Sequence, residues 1–335
     1  MTRTYLKQAR RRPQTDTSEV RQIVQDMLAQ IEEGGDAAVL DYARQFDRYD
    51  GPVVLNAAQI DAACARVSDA VKADIRFAHA NIRRFAEAQR ATLQDITLEV
   101  VPGLTAGQRN LPVSAAGCYV PGGRYSHIAS AVMTVTTAKV AGVGHITACS
   151  PPRGADGIDD ALIFAAHLCG ADTIVALGGV QGIAAMAFGL LGLPPVDILV
   201  GPGNQFVAEA KRLLFGRVGI DMVAGPTDSL IIADGTAEAA IVSADLVGQA
   251  EHGYNSPVWL VTDDKALARD VMARVPALIA SLPEVNRLNA EAAWRDCAEV
   301  ILCDSREDMA ATSDVYAPEH LTVQAADLPW WLDRL

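Results

Sequence analysis

The stretch Gly248–Pro257, GQAEHGYNSP, brings Gln249, Glu251 and His252 close together in a chain with only six histidines among 335 residues. Gln249 and His252 are three positions apart, so they project from one face of a helix end, while Glu251 points elsewhere. This is not the H-E-x-x-H zinc signature. One His and one Gln cannot hold zinc alone, because a protein zinc site takes three or four ligands. In YAPEHLTV, Glu319 precedes His320 just after Pro318, at an irregular strand entrance. A carboxylate next to an imidazole is suited to general-base work. Each histidine taken singly is also consistent with a structural role. His79, His145 and His167 read that way, whereas His127 flanks a glycine-rich turn.

Four glycine-rich turns carry the remaining candidates: YVPGGR (119–124), LGGVQG (177–182), VGPGNQF (200–206) and VAGPTDS (223–229). Glycine allows close backbone approach to a ligand, and a helix start behind it offers amide N–H groups and a positive dipole end. Tyr119, Gln181, Asn204 and Thr227 are the polar heads of these turns. GPGNQF approaches a dinucleotide fingerprint, with Asp221 at a distance suited to a ribose. It fails at the third glycine, where Phe206 stands, and Pro202 stiffens the turn. Singly, each turn is an ordinary α/β connection; four in succession point to a ligand cleft.

These residues must be positioned by the elements around them. The apolar residues Val20, Ile23, Val24, Met27, Leu28 and Ile31 are spaced for one helix face, with Thr17 or Ser18 as cap and Gly34 as stop. Helices are predicted over 36–46, 57–66 and 68–91, and the sequence then turns β-rich. From 145 short β-branched runs alternate with helix-length segments: HITACS, TIVALG, DILVGP and IDMVAG, then SLIIAD, SPVWLVTDD, AEVILC and LTVQAAD. That alternation predicts an α/β fold of two tandem, incomplete Rossmann-like units with parallel sheets, behind a helical N-terminal region. The expected division is 1–116 with 229–335 as a discontinuous unit carrying the metal and catalytic motifs, and 117–228 as a nested dinucleotide-binding unit. Ligands in such sheets sit at the carboxyl ends of strands.

Composition narrows the function classes. A formal charge of −13 argues against nucleic acid, and no apolar run reaches the ~18 residues of a membrane span. The basic start lacks the apolar core of a secretory signal. The six cysteines form no C-x-x-C pair and read as reduced residues, which makes the cytoplasm the expected compartment.

Six segments, GCYVPGGRYSHIASAVMTVTTAKVAGV, LGGVQGIAAMAFG, GPGNQFVAEAKR, DMVAGPTDSLIIAD, DLVGQAEHG and YAPEHL, occur in the order seen in the histidinol dehydrogenase family, which this chain resembles over nearly its whole length. The resemblance implies a zinc-dependent, NAD-linked homodimer that oxidises a primary alcohol to a carboxylate in two hydride transfers. By the same resemblance Tyr119, Gln181 and Asn204 would contact NAD, with Gly-turn amides near its pyrophosphate. Gln249 and His252 would be zinc ligands, and Glu319 and His320 the catalytic pair, with Thr227, Gln249, His252 and His320 around the substrate. Thr227 stands where the family has Ser. GGRYSHIAS, WRDCAEVILC and DLPWWL are closer to the sulfopropanediol dehydrogenase branch, which converts 2,3-dihydroxypropane-1-sulfonate to 3-sulfolactate. Arg124 would suit a sulfonate anion. The alternatives are L-histidinol oxidation and, from another class, a non-catalytic small-molecule-binding protein or an inactive homologue. Family members continue beyond PWWLDRL with an Asp and a His that complete the zinc site. The expectation for this chain is therefore a C-terminal truncation with weak zinc binding, little turnover, and Trp330 and Trp331 uncovered.

Overall fold

The computed structural model describes residues 3–10, 18–122, 127–222 and 227–335. Two compact units divide the chain: Thr17–Ala224, and Met1–Asp16 with Gly225–Leu335. The chain opens on strand β1 (Arg3–Lys7). The continuous unit then runs through α1 (Ser18–Tyr42), α2 (Ala57–Arg66), α3 (Asp69–Ala91), β2 (Ile96–Val101), β3 (Leu104–Gln108), β4 (Ala115–Tyr119) and α4 (Ile128–Ala141). It continues with β5 (His145–Ser150), α5 (Asp160–Cys169), β6 (Thr173–Ala176), α6 (Gly179–Phe188), β7 (Ile198–Val200), α7 (Gln205–Leu214) and β8 (Gly219–Ile220). The discontinuous unit resumes with β9 (Ser229–Ala233), α8 (Ala239–Ala250), β10 (Val258–Thr262), α9 (Lys265–Ala280) and α10 (Glu284–Asp296). It closes with β11 (Glu299–Cys303), α11 (Arg306–Tyr316), β12 (His320–Gln324) and α12 (Leu328–Arg334).

Each unit is built on a five-stranded sheet with helices between its parallel strands, as the alternation of β-branched runs and helical segments predicts. In the continuous unit the order is β6-β5-β4-β7-β8, with every pairing parallel. The central strand β4 is buried at all five positions, as expected for a parallel strand covered on both faces. After β4 the chain winds outward through β5 and β6, then crosses to β7 on the other side. The crevice at this reversal is where open α/β sheets hold ligands. The other unit has the order β1-β11-β10-β9-β12, parallel except for β1, which pairs antiparallel with β11. Sequence patterning had not marked this edge strand.

The expected domain division is corrected. Residues 17–116 belong with the sheet of β4 to β8, whereas Met1–Asp16 belongs with the second sheet as expected. The reason is burial: the stripe Val24, Met27, Leu28 and Ile31 on α1 packs into the core formed by Ile183, Ala184 and Val207 of α6 and α7. The stop expected at Gly34 is a bend instead. Gly35 takes φ 57° and the helix resumes beyond it. Helix α2 starts on a capping box in which Asn56 and Gln59 satisfy each other's backbone N–H, the arrangement that exchanges side-chain acceptors for orphan donors.

The two tryptophans are also corrected. Trp331 is 3% exposed, packed with Leu230, Ile232, Val261, Ile301 and Met309, and its Nε1 donates to the Ala326 carbonyl at 3.2 Å. Trp330 packs against this cluster beneath the Arg306 guanidinium, 4.2 Å from its ring centroid. Helix α12 is therefore a lid on one face of its sheet. Among the described residues no helix is long and apolar enough to cross a membrane.

Candidate active site

Tyr119 ends β4, Gln181 lies in the first turn of α6, and Asn204 caps α7. All three line one cavity of about 590 Å³ at the carboxyl edge of β4, β5, β6 and β7, within the range of small-molecule sites. Pro151, Gly178, Gly179, Gly203 and Phe206 complete that edge, and Phe46 and Asp47 reach it from the end of α1.

Several backbone donors here are committed internally. The Gly178 N–H donates to Asp47 Oδ2 at 3.0 Å, and the Gly179 N–H to the Tyr119 hydroxyl at 3.1 Å. Asn204 Oδ1 accepts from the Phe206 and Val207 N–H groups at 3.0 and 3.1 Å. Asn204 therefore keeps Nδ2 as its donor end for a ligand. Burial pushes the Tyr119 phenol well above its ordinary range, so the ring is a neutral wall with a hydrogen-bonded hydroxyl. The volume, the aromatic walls and the paired carboxamides of Gln181 and Asn204 fit a dinucleotide.

The turn behind Asn204 is held from below. Gly201 takes φ 111°, and a Cβ there would meet the Tyr119 carbonyl oxygen at 2.0 Å, so only glycine fits. Its N–H donates to Asp221 Oδ2 at 2.7 Å and its carbonyl accepts from Lys211 Nζ at 2.9 Å. Lys211 and Asp221 are themselves paired, with the Lys side chain 3% exposed. Asp221 is thus part of an internal clamp on the GPG turn.

In the other unit the candidates gather at the amino edge of the sheet, opposite to the edge the general rule favours. Parallel pairing aligns Val258, Ser229 and His320 across β10, β9 and β12. Glu319 and His320 stand at the start of β12, and half-buried Thr227 just precedes β9. Glu319 Oε1 lies 3.8 Å from His320 Nε2, adjacent but too far for a hydrogen bond. Asp228 holds the backbone of both: its Oδ1 accepts from the Glu319 N–H at 2.7 Å and its carbonyl from the His320 N–H at 3.2 Å. Gln249 lies in the last turn of α8, and His252 just beyond its end donates its N–H to the Gln249 carbonyl at 3.2 Å. His252 is exposed, and Glu251 turns away to accept from Asn286 at 3.1 Å.

Two neutral donors on one turn do not make a zinc site, and no group of three or more His, Cys, Asp or Glu converges among the described residues. These residues therefore fit only part of a zinc site. Arg124 lies outside the described residues. Sequence reasoning missed Asp47, Asp228 and the Lys211 clamp. Asp228 neighbours Thr227 in a turn already singled out, whereas nothing in the spacing of RQFDRYD marks Asp47. Five of the six cysteines are buried, and burial lifts the Cys118 thiol to about 12.

The family model for histidinol dehydrogenase matches residues 10–335. A sulfopropanediol 3-dehydrogenase of Ruegeria pomeroyi is 69% identical over 335 residues, all of this chain and 77% of the relative. A histidinol dehydrogenase homolog of Pelagibacter ubique is 56% identical over 333 residues, covering 99% of this chain and 78% of the relative. Among solved structures, a histidinol dehydrogenase from Elizabethkingia anophelis superposes with a TM-score of 0.90 at 33% identity, over 97% of this chain and 74% of that one. With a match over almost the entire chain and the same fold, this protein belongs to the histidinol dehydrogenase family of oxidoreductases.

Proposed function

We propose that the chain is an NAD-linked dehydrogenase that oxidises 2,3-dihydroxypropane-1-sulfonate to 3-sulfolactate through the aldehyde. The observation that carries this reading is the 69% identity to a sulfopropanediol 3-dehydrogenase, against 38% to a histidinol dehydrogenase of Parasynechococcus marenigrum. The balance is one alcohol, one water and two NAD⁺ giving one carboxylate, two NADH and three protons. NAD supplies the hydride acceptor, and Tyr119, Gln181 and Asn204 would hold it. His320 takes the alcohol proton. Glu319 activates the water that attacks the aldehyde, both roles being general-base steps. Asp228 fixes the backbone that carries the pair. Gln249 and His252 are the candidate metal donors, and Thr227 the candidate substrate contact. The cytoplasm, where NAD is available, is the proposed compartment.

The test is NADH formation with dihydroxypropanesulfonate and with L-histidinol on the purified protein. Higher kcat/KM on the sulfonate is the expected result. Higher kcat/KM on histidinol would return the protein to histidine formation, and NAD binding without turnover of either alcohol would favour a non-catalytic binding protein.

The proposed assembly is a homodimer, supported by the β2–β3 hairpin. Every residue of both strands is exposed, including Leu98 at 62% and Leu104 at 58%. An uncovered two-stranded hairpin is marginal in water, and an apolar patch of this kind calls for a partner surface. Leu98→Asp combined with Leu104→Asp is expected to shift a dimer to monomer in sedimentation analysis at micromolar protein. An unchanged dimer would place the interface elsewhere.

A further inference from the structure

Asp47 lies at the end of a π-helical turn (Ala43–Asp47) that extends α1, closed by Arg48 in the left-handed region at φ 53°. Wide turns of this kind recur at functional sites. Its Oδ2 accepts from two donors of one element, the Gly178 N–H at 3.0 Å and Gln181 Nε2 at 2.9 Å. The fit depends on glycine, since a Cβ at Gly178 would lie 2.5 Å from Asp47 Oδ1. Gln181 is 2% exposed, so its carboxamide has few orientations to sample. An ionised carboxylate only accepts, and it therefore decides which end of the amide faces it. Nε2 is turned to Asp47 and Oε1 is left for a ligand. Burial raises the Asp47 carboxyl above its ordinary range, while the Gly178 and Gln181 hydrogen bonds pull it back.

We propose that Asp47 is a positioning residue for the dinucleotide, acting through Gln181. By holding Nε2 it makes Gln181 an obligate acceptor, so the ligand atom it receives is a donor, a ribose hydroxyl or the adenine amino group. Freed from Asp47, the amide samples both orientations. This inference rests on the reading of the cavity as the NAD site.

The test is NAD(H) affinity, by fluorescence titration or calorimetry, for the wild-type protein, Asp47→Ala, Asp47→Asn, Gln181→Ala and the double Asp47→Ala/Gln181→Ala, with thermal unfolding of each. Asp47→Ala and Gln181→Ala are each expected to weaken binding by about tenfold or more, the scale of a lost hydrogen bond to a charged group. The double variant should bind no more weakly than Gln181→Ala, because one effect runs through the other. Asp47→Asn keeps an acceptor oxygen and should restore most of the affinity. A purely structural role predicts losses that follow unfolding temperature and add in the double variant, and that result overturns the proposal, as does unchanged binding by Asp47→Ala. Wild-type protein that fails to bind NAD(H) would instead sink the cofactor reading, and this inference with it.

Discussion

His320→Ala is expected to lower kcat by about 10²–10⁴-fold, the range for loss of a positioned general base, while leaving the fold intact. The imidazole is more than half exposed, at 54%. The backbone at this point is held independently of it, by the Asp228 carbonyl on the His320 N–H and by pairing with β9. Stability should therefore change by no more than about 0.5 kcal/mol, as for other surface substitutions. Glu319→Gln separates the two halves of the reaction. If Glu319 activates the water as proposed, the aldehyde should form but be consumed slowly, and NADH released per alcohol should fall from two toward one. Stopped-flow absorbance with aldehyde trapping reads both quantities. Unchanged kcat in either variant would remove that residue from the proposed chemistry.

Asp221→Ala is expected to destabilise the protein by about 1–3 kcal/mol, the scale for leaving a buried polar group without its partner, since the Lys211 side chain is buried while that of Asp221 is 33% exposed. The Lys211 ammonium would remain almost wholly buried with the Gly201 carbonyl as its acceptor, and the Gly201 and Met222 N–H groups would lose their carboxylate. Urea denaturation should show a lower midpoint with little change in slope. NAD affinity should fall as well, because the same clamp shapes the turn that carries Gly203 and Asn204 to the cavity. Asp221→Asn, which keeps an acceptor, should cost less than Asp221→Ala. Lys211→Met/Asp221→Leu removes both charges and should recover much of the loss. A change below about 1 kcal/mol for Asp221→Ala, no larger than an average substitution, would show that the clamp is not under load.

The local chemistry of the chain was sufficient for much of this. Strands β5, β6, β9, β10 and β11 coincide with β-branched runs, because a buried parallel strand has to be apolar over a short length. Helices α2 and α3 fall where their caps and periodicity put them, Ser68 accepting the Val71 N–H at the start of α3. Tyr119, Gln181 and Asn204 were legible as cavity residues because each sits in a turn that follows a strand, and such turns share one edge of the sheet.

What the sequence could not determine is how polar groups far apart in the chain satisfy one another. Asp47 reaches Gly178 across 131 residues, and Asp228 reaches Glu319 across 91. A buried N–H must find an acceptor, but any Asp or carbonyl brought near can serve, and only the packed fold selects one. The same holds for α1. Its stripe shows that one face is buried, and the tertiary structure decided that it is buried on α6 and α7. The chain alone thus determined its family and most of its element types, and it nominated candidate residues for the chemistry. The tertiary structure decided which amides those residues leave free and which edge of each sheet they occupy, because both depend on contacts between segments with no local signature.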